Sequence, residues 1–211
     1  MSTQRTMIHG VILGLFCLGF GIVLAVTNSI TANDIAARAK EDLQNSLSQV
    51  IPDSIHDNSV VADTLSMKND LGKEITVYRA TKGGKISGMA YEIFGTGYAG
   101  EIKLMLGVDA AGKVLGVRVL SHHETPGLGD KIEVKKTDWI TRFNDLSLGN
   151  PPLDKWKVKK DGGQFDQFAG ATITPRGVVK AIREGLQFFD AHKTEMLAPD
   201  ASKTEKKEVQ K

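Results

Sequence analysis

The most constraining feature of this 211-residue sequence is an uninterrupted apolar run near its start, residues 10–26, GVILGLFCLGFGIVLAV. Its seventeen residues include no charged or polar side chain, and as a helix they rise about 25 Å, near the lower limit for a bilayer core. Met7 and Ile8 extend the run if His9 lies at the boundary. The run therefore predicts a single membrane-spanning helix with the remaining chain folded outside the membrane.

A cleaved signal peptide is the alternative interpretation of this run. Against it, the run is longer than a usual signal core, and the following residues, AVTNSITAND, hold no clean small-x-small cleavage site. A lipoprotein signal is less favoured still, because Phe16 precedes Cys17 where such signals have a small residue. Arg5 lies before the run without an acidic neighbour, so the positive-inside rule places the N-terminus in the cytoplasm.

Composition excludes several classes of site. The 27 basic and 25 acidic residues are interleaved along the chain, which argues against a nucleic-acid partner. A single cysteine excludes an intramolecular disulfide and an all-cysteine metal cluster within this chain. His122 and His123 are adjacent on an extended segment and point to opposite faces, so we predict no metal site.

Residues after the apolar run show helical and then strand-like periodicity. Apolar residues at steps of three and four predict a separate helix over 31–51, capped by Thr31 or Asn33 and ended by Pro52. Residues 52–66 are polar and irregular. Apolar alternation and β-type runs over 74–80, 85–94, 101–108 and 115–119, with a hairpin turn at 109–112, then predict an antiparallel sheet with one buried face.

The second half of the sequence predicts helices that pack on this sheet. Residues 130–145 are partly helical in pattern, and a clear helix over 175–191 carries one apolar stripe of Val178, Val179, Ile182, Leu186 and Phe189. The fold class is therefore α+β. We divide the chain into an N-terminal tip and membrane helix, a juxtamembrane helix and connector, one folded domain and a charged disordered tail, over 1–28, 29–73, 74–195 and 196–211.

Two stretches stand out as candidate binding segments. In SHHETPGLGDK, residues 121–131, Pro126 stiffens the backbone while Gly127 and Gly129 permit close approach to a ligand, although a tight connection in water has the same features. In AGAT, residues 169–172, small residues precede a helix N-terminus, where a phosphate binds well. A threonine there would hold the phosphate by a hydrogen bond or an ester. A simple capped helix start, with Thr174 as the cap, is the alternative.

Three longer motifs resemble one family. HETPGLGDK at 123–131, TDWITRF at 137–143 and KKDGGQFDQFAGATITPRGVV at 159–179 are similar to the G subunits of the Rnf (Rsx) electron transport complex, an FMN-binding domain family. The resemblance covers the whole chain, including the apolar run, and weakens only in the C-terminal tail. A related protein, the C subunit of the sodium-translocating NADH:quinone reductase, shares the flavin-attachment motif.

The resemblance implies covalent FMN, joined through a phosphoester to the threonine that ends Ser/Thr-Gly-Ala-Thr. That residue here is Thr172, and a flavin transferase uses FAD to make the bond. Asp166 matches an acidic position of the transferase's motif, whereas Ala169 replaces the usual Ser or Thr and removes one hydroxyl. Thr174 is the second candidate acceptor, but it fits the helix N-cap better, so we assign it the structural role of helix cap. The predicted FMN-binding residues are Thr172, Gly170, Ala171, Thr174, Glu124, Thr125, Gly127, Leu128, Gly129 and Lys131.

The implied activity is electron relay within an ion-translocating oxidoreductase complex, without independent turnover or a catalytic side chain of its own. Expected partners are the other proteins of the complex, the flavin transferase and membrane lipid. The expected location is the bacterial inner membrane, crossed once, with the N-terminus cytoplasmic and the folded domain periplasmic. The alternative is a scaffold protein of the same complex without flavin. A membrane-anchored hydrolase is disfavoured, since no serine elbow or suitable cysteine is present.

Overall fold

The computed structural model describes residues 2–69, 72 and 74–198, without the side chains of residues 2–6 and Asn33. The chain divides into two compact units, residues 1–43 and 44–211. The first unit consists of most of helix α1, Ser2–Val50. Within it, Met7–Ala32 is long and apolar enough to cross a membrane. Its large apolar side chains are 45–70% exposed, as expected of a helix whose partner is lipid.

The separate helix predicted from residue 31 is wrong in its start, because α1 continues without a break from the apolar run to Val50. Thr31 does not cap a new helix. Its hydroxyl donates to Thr27 O at 2.8 Å, a bond to the preceding turn that leaves the helix intact. The predicted end is confirmed: α1 ends at Val50, and Pro52 follows with extended backbone.

The second unit contains a five-stranded antiparallel sheet in simple meander order, β1 to β5. The bounds are Thr64–Lys68 for β1, Glu74–Lys82 for β2, Lys85–Thr96 for β3, Glu101–Asp109 for β4 and Val114–Ser121 for β5. The four predicted strands are confirmed, as is the turn after Asp109. Strand β1 lies partly in the segment predicted to be irregular. Only Met67 of its five residues is buried, so its sequence carries little strand signal and its pairing with β2 defines it.

Both faces of the central strand β4 are buried, which corrects the prediction of one buried face. One face carries Ile102, Leu104, Leu106 and Val108, all buried as the alternation predicts. Met105 and Gly107 on the opposite face are buried as well. The last turn of α1 packs on this face at Gly107, where an added Cβ atom would overlap the carbonyl of Val50. The sheet is therefore packed between two helical elements.

Helix α2, Ile173–Met196, packs on the other face of the sheet. Its predicted apolar stripe is confirmed, since Val178, Val179, Ile182, Leu186 and Phe189 are all nearly inaccessible. Contact with β3 is close enough to need glycine on both sides. A Cβ at Gly95 would lie 2.8 Å from Gly177 O, and one at Gly177 would overlap Thr96 O. The start of α2 is thereby placed beside the end of β3.

Short 3-10 helices and an aromatic cluster fill the connection between β5 and α2. The partly helical prediction for 130–145 is confirmed by 3-10 helices at Gly129–Ile132 and Trp139–Phe143, and others occupy Leu153–Lys155 and Lys159–Asp161. Ring centroids 4.6–5.3 Å apart link the cluster. Its members are Trp139, Phe143, Trp156, Phe165 and Phe168. This cluster fixes the chain immediately before α2.

The C-terminal end of the described chain is tied to the sheet. Met196 is fully buried, and Arg79 donates to Ala198 O at 3.1 Å while its guanidinium also binds the Asp63 carboxylate. The disordered tail predicted from residue 196 therefore cannot begin there. The rest of that predicted tail, 199–211, lies outside the described residues.

Candidate functional site

Three surface segments of the second unit meet at one place. The first is the GYAG turn, residues 97–100, which joins β3 to β4. The second is the HETPGLG loop, residues 123–129, which follows β5. The third is the AGAT turn, residues 169–172, which leads into α2. The two binding segments predicted from sequence are thus brought together, while the GYAG turn was missed. Three glycines within or just before this turn, at 95, 97 and 100, are the sequence feature that could have indicated it.

The AGAT turn is open to solvent. Ala171 N donates to Phe168 O at 3.2 Å, and Gly170 between them has a φ of +78°, a conformation that favours glycine. Ala169 and Gly170 are exposed. A Cβ at Gly170 would meet Leu128 Cδ2 at 3.7 Å, an ordinary contact. The turn therefore leaves space for a bulky group beside Thr172 and touches the HETPGLG loop through Leu128.

The two threonines of this segment differ sharply in environment. Thr172 occupies the N-cap position of α2, is partly exposed and makes no side-chain cap bond. Among the described residues its hydroxyl has no hydrogen-bond partner. Thr174 is fully buried inside the helix, and its hydroxyl donates to the Glu124 carboxylate. The prediction that Thr174 caps the helix is therefore wrong, because its side chain points into the protein and bonds across to another loop.

Glu124 is only 6% exposed, and it connects the HETPGLG loop to the GYAG turn and to the start of α2, which directly follows the AGAT turn. One carboxylate oxygen accepts from Thr174 at the start of α2, and the other accepts from Ala99 N of the GYAG turn at 2.9 Å. Its own backbone N donates to His122 Nδ1 at 3.0 Å. An accepting Nδ1 means that His122 Nε2 carries the proton, which it donates to Glu133 Oε1 at 2.9 Å. Glu124 is thus held at both its backbone and its side chain.

Two glycines make room for this carboxylate. A Cβ at Gly129 would lie 2.7 Å from Glu124 Oε2 and 2.9 Å from Thr174 Oγ1, and a Cβ at Gly97 would overlap Glu124 Oε1. Gly129 is itself buried. Gly127, in contrast, is exposed with a φ of +79° and serves the turn of the loop, which Thr125 O closes by accepting from Leu128 N and Gly129 N. The glycines of this site therefore have two distinct physical roles.

Three exposed apolar side chains lie on or next to the three segments. Tyr98 is 75% exposed, Leu128 43% and Ile173 46%, and each belongs to or adjoins one of the three segments. Thr125 is exposed beside them, while Lys131 is partly buried in the 3-10 helix that follows the loop. In the described part of the chain, the Lys131 ammonium forms no ion pair. The surface thus offers apolar contacts close to a free hydroxyl.

Ion pairs brace the chain that leads into the AGAT turn. Arg176, in the first turn of α2, binds Asp161 through two bonds of 2.6 Å. The hydrogen bond from Arg176 lowers the pKa of Asp161, and the bond to Asp161 raises the pKa of Arg176. Asp166 binds Lys159 at 2.6 Å and Arg142 at 2.7 Å, and its pKa is lowered chiefly by the bond from Lys159. These pairs link the segment before Thr172 to its neighbours.

Because the pKa of Asp161 is lower in the folded protein, its pair with Arg176 stabilises the fold above the ordinary pKa range of aspartate. That contribution is lost as the pH falls through the lowered folded pKa. We expect Asp161→Asn to reduce the thermal midpoint slightly at neutral pH, less so in high salt, and not at all in strong acid. Thermal unfolding of both proteins across acid to neutral pH measures this. An equal deficit at every pH would contradict an electrostatic origin.

The groove beside helix α2 is separate from the predicted site. A groove of about 510 Å³ lies between β3 and α2, lined by residues that include Tyr91, Ile93, Gly177 and Phe188, and none of its lining residues belongs to the AGAT turn or the HETPGLG loop. Among the described residues, none of the clusters of histidine, cysteine and carboxylate has metal-binding geometry. The predicted FMN-binding residues that lie at the surface thus form an open face.

Comparison with known proteins bears on this arrangement. A family model described as the FMN-binding domain matches residues 97–187, which start at the GYAG turn and include all three segments. A second, described as the RnfG N-terminal region, matches residues 1–50. The G subunit of the ion-translocating oxidoreductase complex of Cereibacter sphaeroides is 49% identical over 193 residues, covering 92% of this chain and 88% of that protein. The protein of the same name in Stutzerimonas stutzeri is 46% identical over 186 residues, covering 88% and 81%.

The chain belongs to the G subunits of ion-translocating oxidoreductase complexes. The family resemblance and the α+β fold class predicted from sequence are both confirmed, and the apolar segment Met7–Ala32 makes this G subunit a membrane-anchored protein. A solved structure, that of the C subunit of the Na(+)-translocating NADH-quinone reductase from Parabacteroides distasonis, has a similar fold. The TM-score is 0.50 at 17% identity, covering 78% of this chain and 98% of that one.

Proposed function

We propose that this G subunit carries FMN in phosphoester linkage to Thr172 and relays electrons within its membrane complex. The observation that supports this acceptor is the contrast between the two threonines. The Thr172 hydroxyl is accessible and has no hydrogen-bond partner in the described part of the chain, whereas Thr174 is buried and bonded to Glu124. An external enzyme can reach the first hydroxyl and not the second.

The residues around Thr172 fit a phosphate and a flavin. The N-terminus of α2 supplies unpaired N–H groups and the positive end of the helix dipole, both suited to the charge left on a phosphodiester. The exposed, side-chain-free Gly170 leaves room for the phosphate. Leu128 offers an apolar contact within reach of the turn, with Thr125 and Gly127 beside it. Lys131 adds positive charge after the loop.

Attachment balances as a phosphoryl transfer from FAD. The Thr172 oxygen forms a bond to the flavin-side phosphorus, the phosphoanhydride bond breaks, and AMP leaves. The hydroxyl proton passes to a base of the separate flavin transferase. Once bound, FMN supplies the one- and two-electron redox chemistry, while this chain positions it and tunes its surroundings. Because Thr125, Leu128 and Gly170 of the site are exposed to solvent, a covalent tether replaces binding affinity.

In the membrane, we place the N-terminus in the cytoplasm and the flavin-bearing domain in the periplasm of the bacterial inner membrane. Arg5 before the apolar segment supports this orientation. The other proteins of the complex would supply the electron donor and acceptor. Ala169 favours one competing function, a scaffold protein without flavin, since it lacks the hydroxyl that the attachment motif usually has beside Gly170.

Intact mass spectrometry of the full chain, co-expressed with its flavin transferase, tests the proposal. The expected mass gain equals one FMN less one water, and digestion should locate it in the peptide that holds Thr172. A transferase shown to be active on a second acceptor protein is the control. An unmodified chain under those conditions would favour the scaffold function, with Ala169 as the reason.

A further inference from the structure

We propose that Glu124 is a positioning residue that locks the three segments of the site together and so fixes the spacing of the apolar side chains that would contact the flavin ring. The proposal rests on the proposed function for the identity of the ligand. The lock itself is a property of the chain alone and can be tested without flavin.

Burial of Glu124 is the first step of the argument. A carboxylate that is 6% exposed requires compensating hydrogen bonds, because a buried polar group without a partner loses its hydration and gains nothing in return. Glu124 has such bonds from Thr174 Oγ1, at the start of α2 directly after the AGAT turn, and from Ala99 N of the GYAG turn. Loss of the carboxylate would leave the fully buried Thr174 hydroxyl without this partner and would release the Ala99 N–H.

The second step concerns how tightly the neighbouring residues enclose the Glu124 carboxylate. Gly97 and Gly129 lie so close to the carboxylate that neither position has room for a Cβ atom. His122 holds the backbone N of Glu124, and Glu133 holds His122 from the opposite side. The side chain therefore has a single defined position relative to the three segments.

The third step concerns the exposed side chains whose positions depend on Glu124. Tyr98 directly precedes the bonded Ala99, Leu128 directly precedes Gly129, and Ile173 directly precedes Thr174. All three side chains are exposed, and each is next in sequence to Ala99, Gly129 or Thr174, the residues that bond to the Glu124 carboxylate or leave room for it. An isoalloxazine ring tethered at Thr172 would have these side chains as its apolar neighbours, at a spacing set by Glu124.

The lock is tested by comparing Thr174→Val, which keeps the side-chain volume, with Thr174→Ser, which loses one methyl group. Valine removes the hydroxyl and serine keeps it. In flavinylated protein, we expect the visible circular dichroism per bound flavin to fall at least twofold towards that of free FMN in Thr174→Val and to be retained in Thr174→Ser. The flavin midpoint potential should move towards the free value in the valine variant only. Thr141→Val, at an exposed hydroxyl bonded to Asp138 O, is the matched control.

Amide hydrogen exchange, measured in protein without bound flavin, provides the second test of the proposal. We expect Glu124→Ala to speed exchange at Ala99 N at least tenfold, while amides at the centre of β4 keep their protection and show that the domain is folded. Unchanged exchange at Ala99, or equal flavin dichroism in the valine and serine variants, would overturn the lock. If the wild-type protein carries no flavin, the proposed function fails. The hydrogen-exchange measurement still decides the role of Glu124, because it needs no flavin.

Discussion

Thr172→Ala is expected to abolish covalent flavin completely in protein made with an active flavin transferase. Its hydroxyl is the accessible one in the AGAT turn, and the neighbouring Thr174 hydroxyl is fully buried and donates to Glu124. A buried, bonded hydroxyl cannot substitute as the acceptor. Fluorescence of the protein band under ultraviolet light after denaturing electrophoresis measures this, since only covalent flavin remains with the band.

Two further variants sharpen the result. Thr172→Ser keeps a hydroxyl and should retain flavin, at a level that reports how strictly the transferase requires threonine. Ala169→Ser restores the hydroxyl that the attachment motif usually has and should speed flavinylation, because Ala169 is exposed beside Gly170. Covalent flavin on Thr172→Ala equal to that of wild type would refute Thr172 as the acceptor and redirect the search to other hydroxyls.

Gly177→Ala is expected to destabilise the second unit strongly, although alanine is the better helix former. Inside a helix, replacing glycine by alanine normally stabilises by about 1 kcal/mol. Here the added Cβ would overlap the Thr96 carbonyl, a backbone atom of β3 that cannot move aside without disturbing the sheet. We expect a net loss of at least about 3 kcal/mol, or about 6–12 °C in thermal midpoint.

Gly149→Ala is the matched control, because no atom lies within 4 Å of its added Cβ. It should unfold within about a degree or two of wild type in the same thermal scan monitored by circular dichroism. A thermal midpoint for Gly177→Ala equal to that of Gly149→Ala would show that α2 and β3 lie further apart than the structure indicates. The position of the start of α2 beside the end of β3 would then also be in question.

Much of the architecture follows from local sequence. The apolar run requires a helix in lipid, because a backbone without internal hydrogen bonds cannot cross a bilayer. Alternation over β4 and the 3.6-residue stripe of α2 predict their elements, since burial on one face repeats with the period of the backbone. The family resemblance rests equally on local motifs. Periodicity, turn residues and short motifs are all properties of neighbouring residues, so a sequence carries them directly.

Other features depend on contacts between distant residues. Glu124 and Thr174 are 50 positions apart, and their hydrogen bond turns a predicted helix cap into a buried support. The GYAG turn joins the site through Ala99 N, 25 positions from Glu124. Val50 covers the second face of β4 at Gly107, against the alternating pattern of that strand.

Local pattern is thus sufficient for the membrane helix, for most strands and the long helix of the folded domain, and for the two segments that carry the candidate FMN residues. Which threonine hydroxyl is free, and which residue ties the segments together, became visible only in the folded arrangement. The physical reason is that accessibility and hydrogen-bond partnership depend on what packs against a side chain. Thr172 and Thr174 are two residues apart with the same side chain, and only the position of Glu124 distinguishes them.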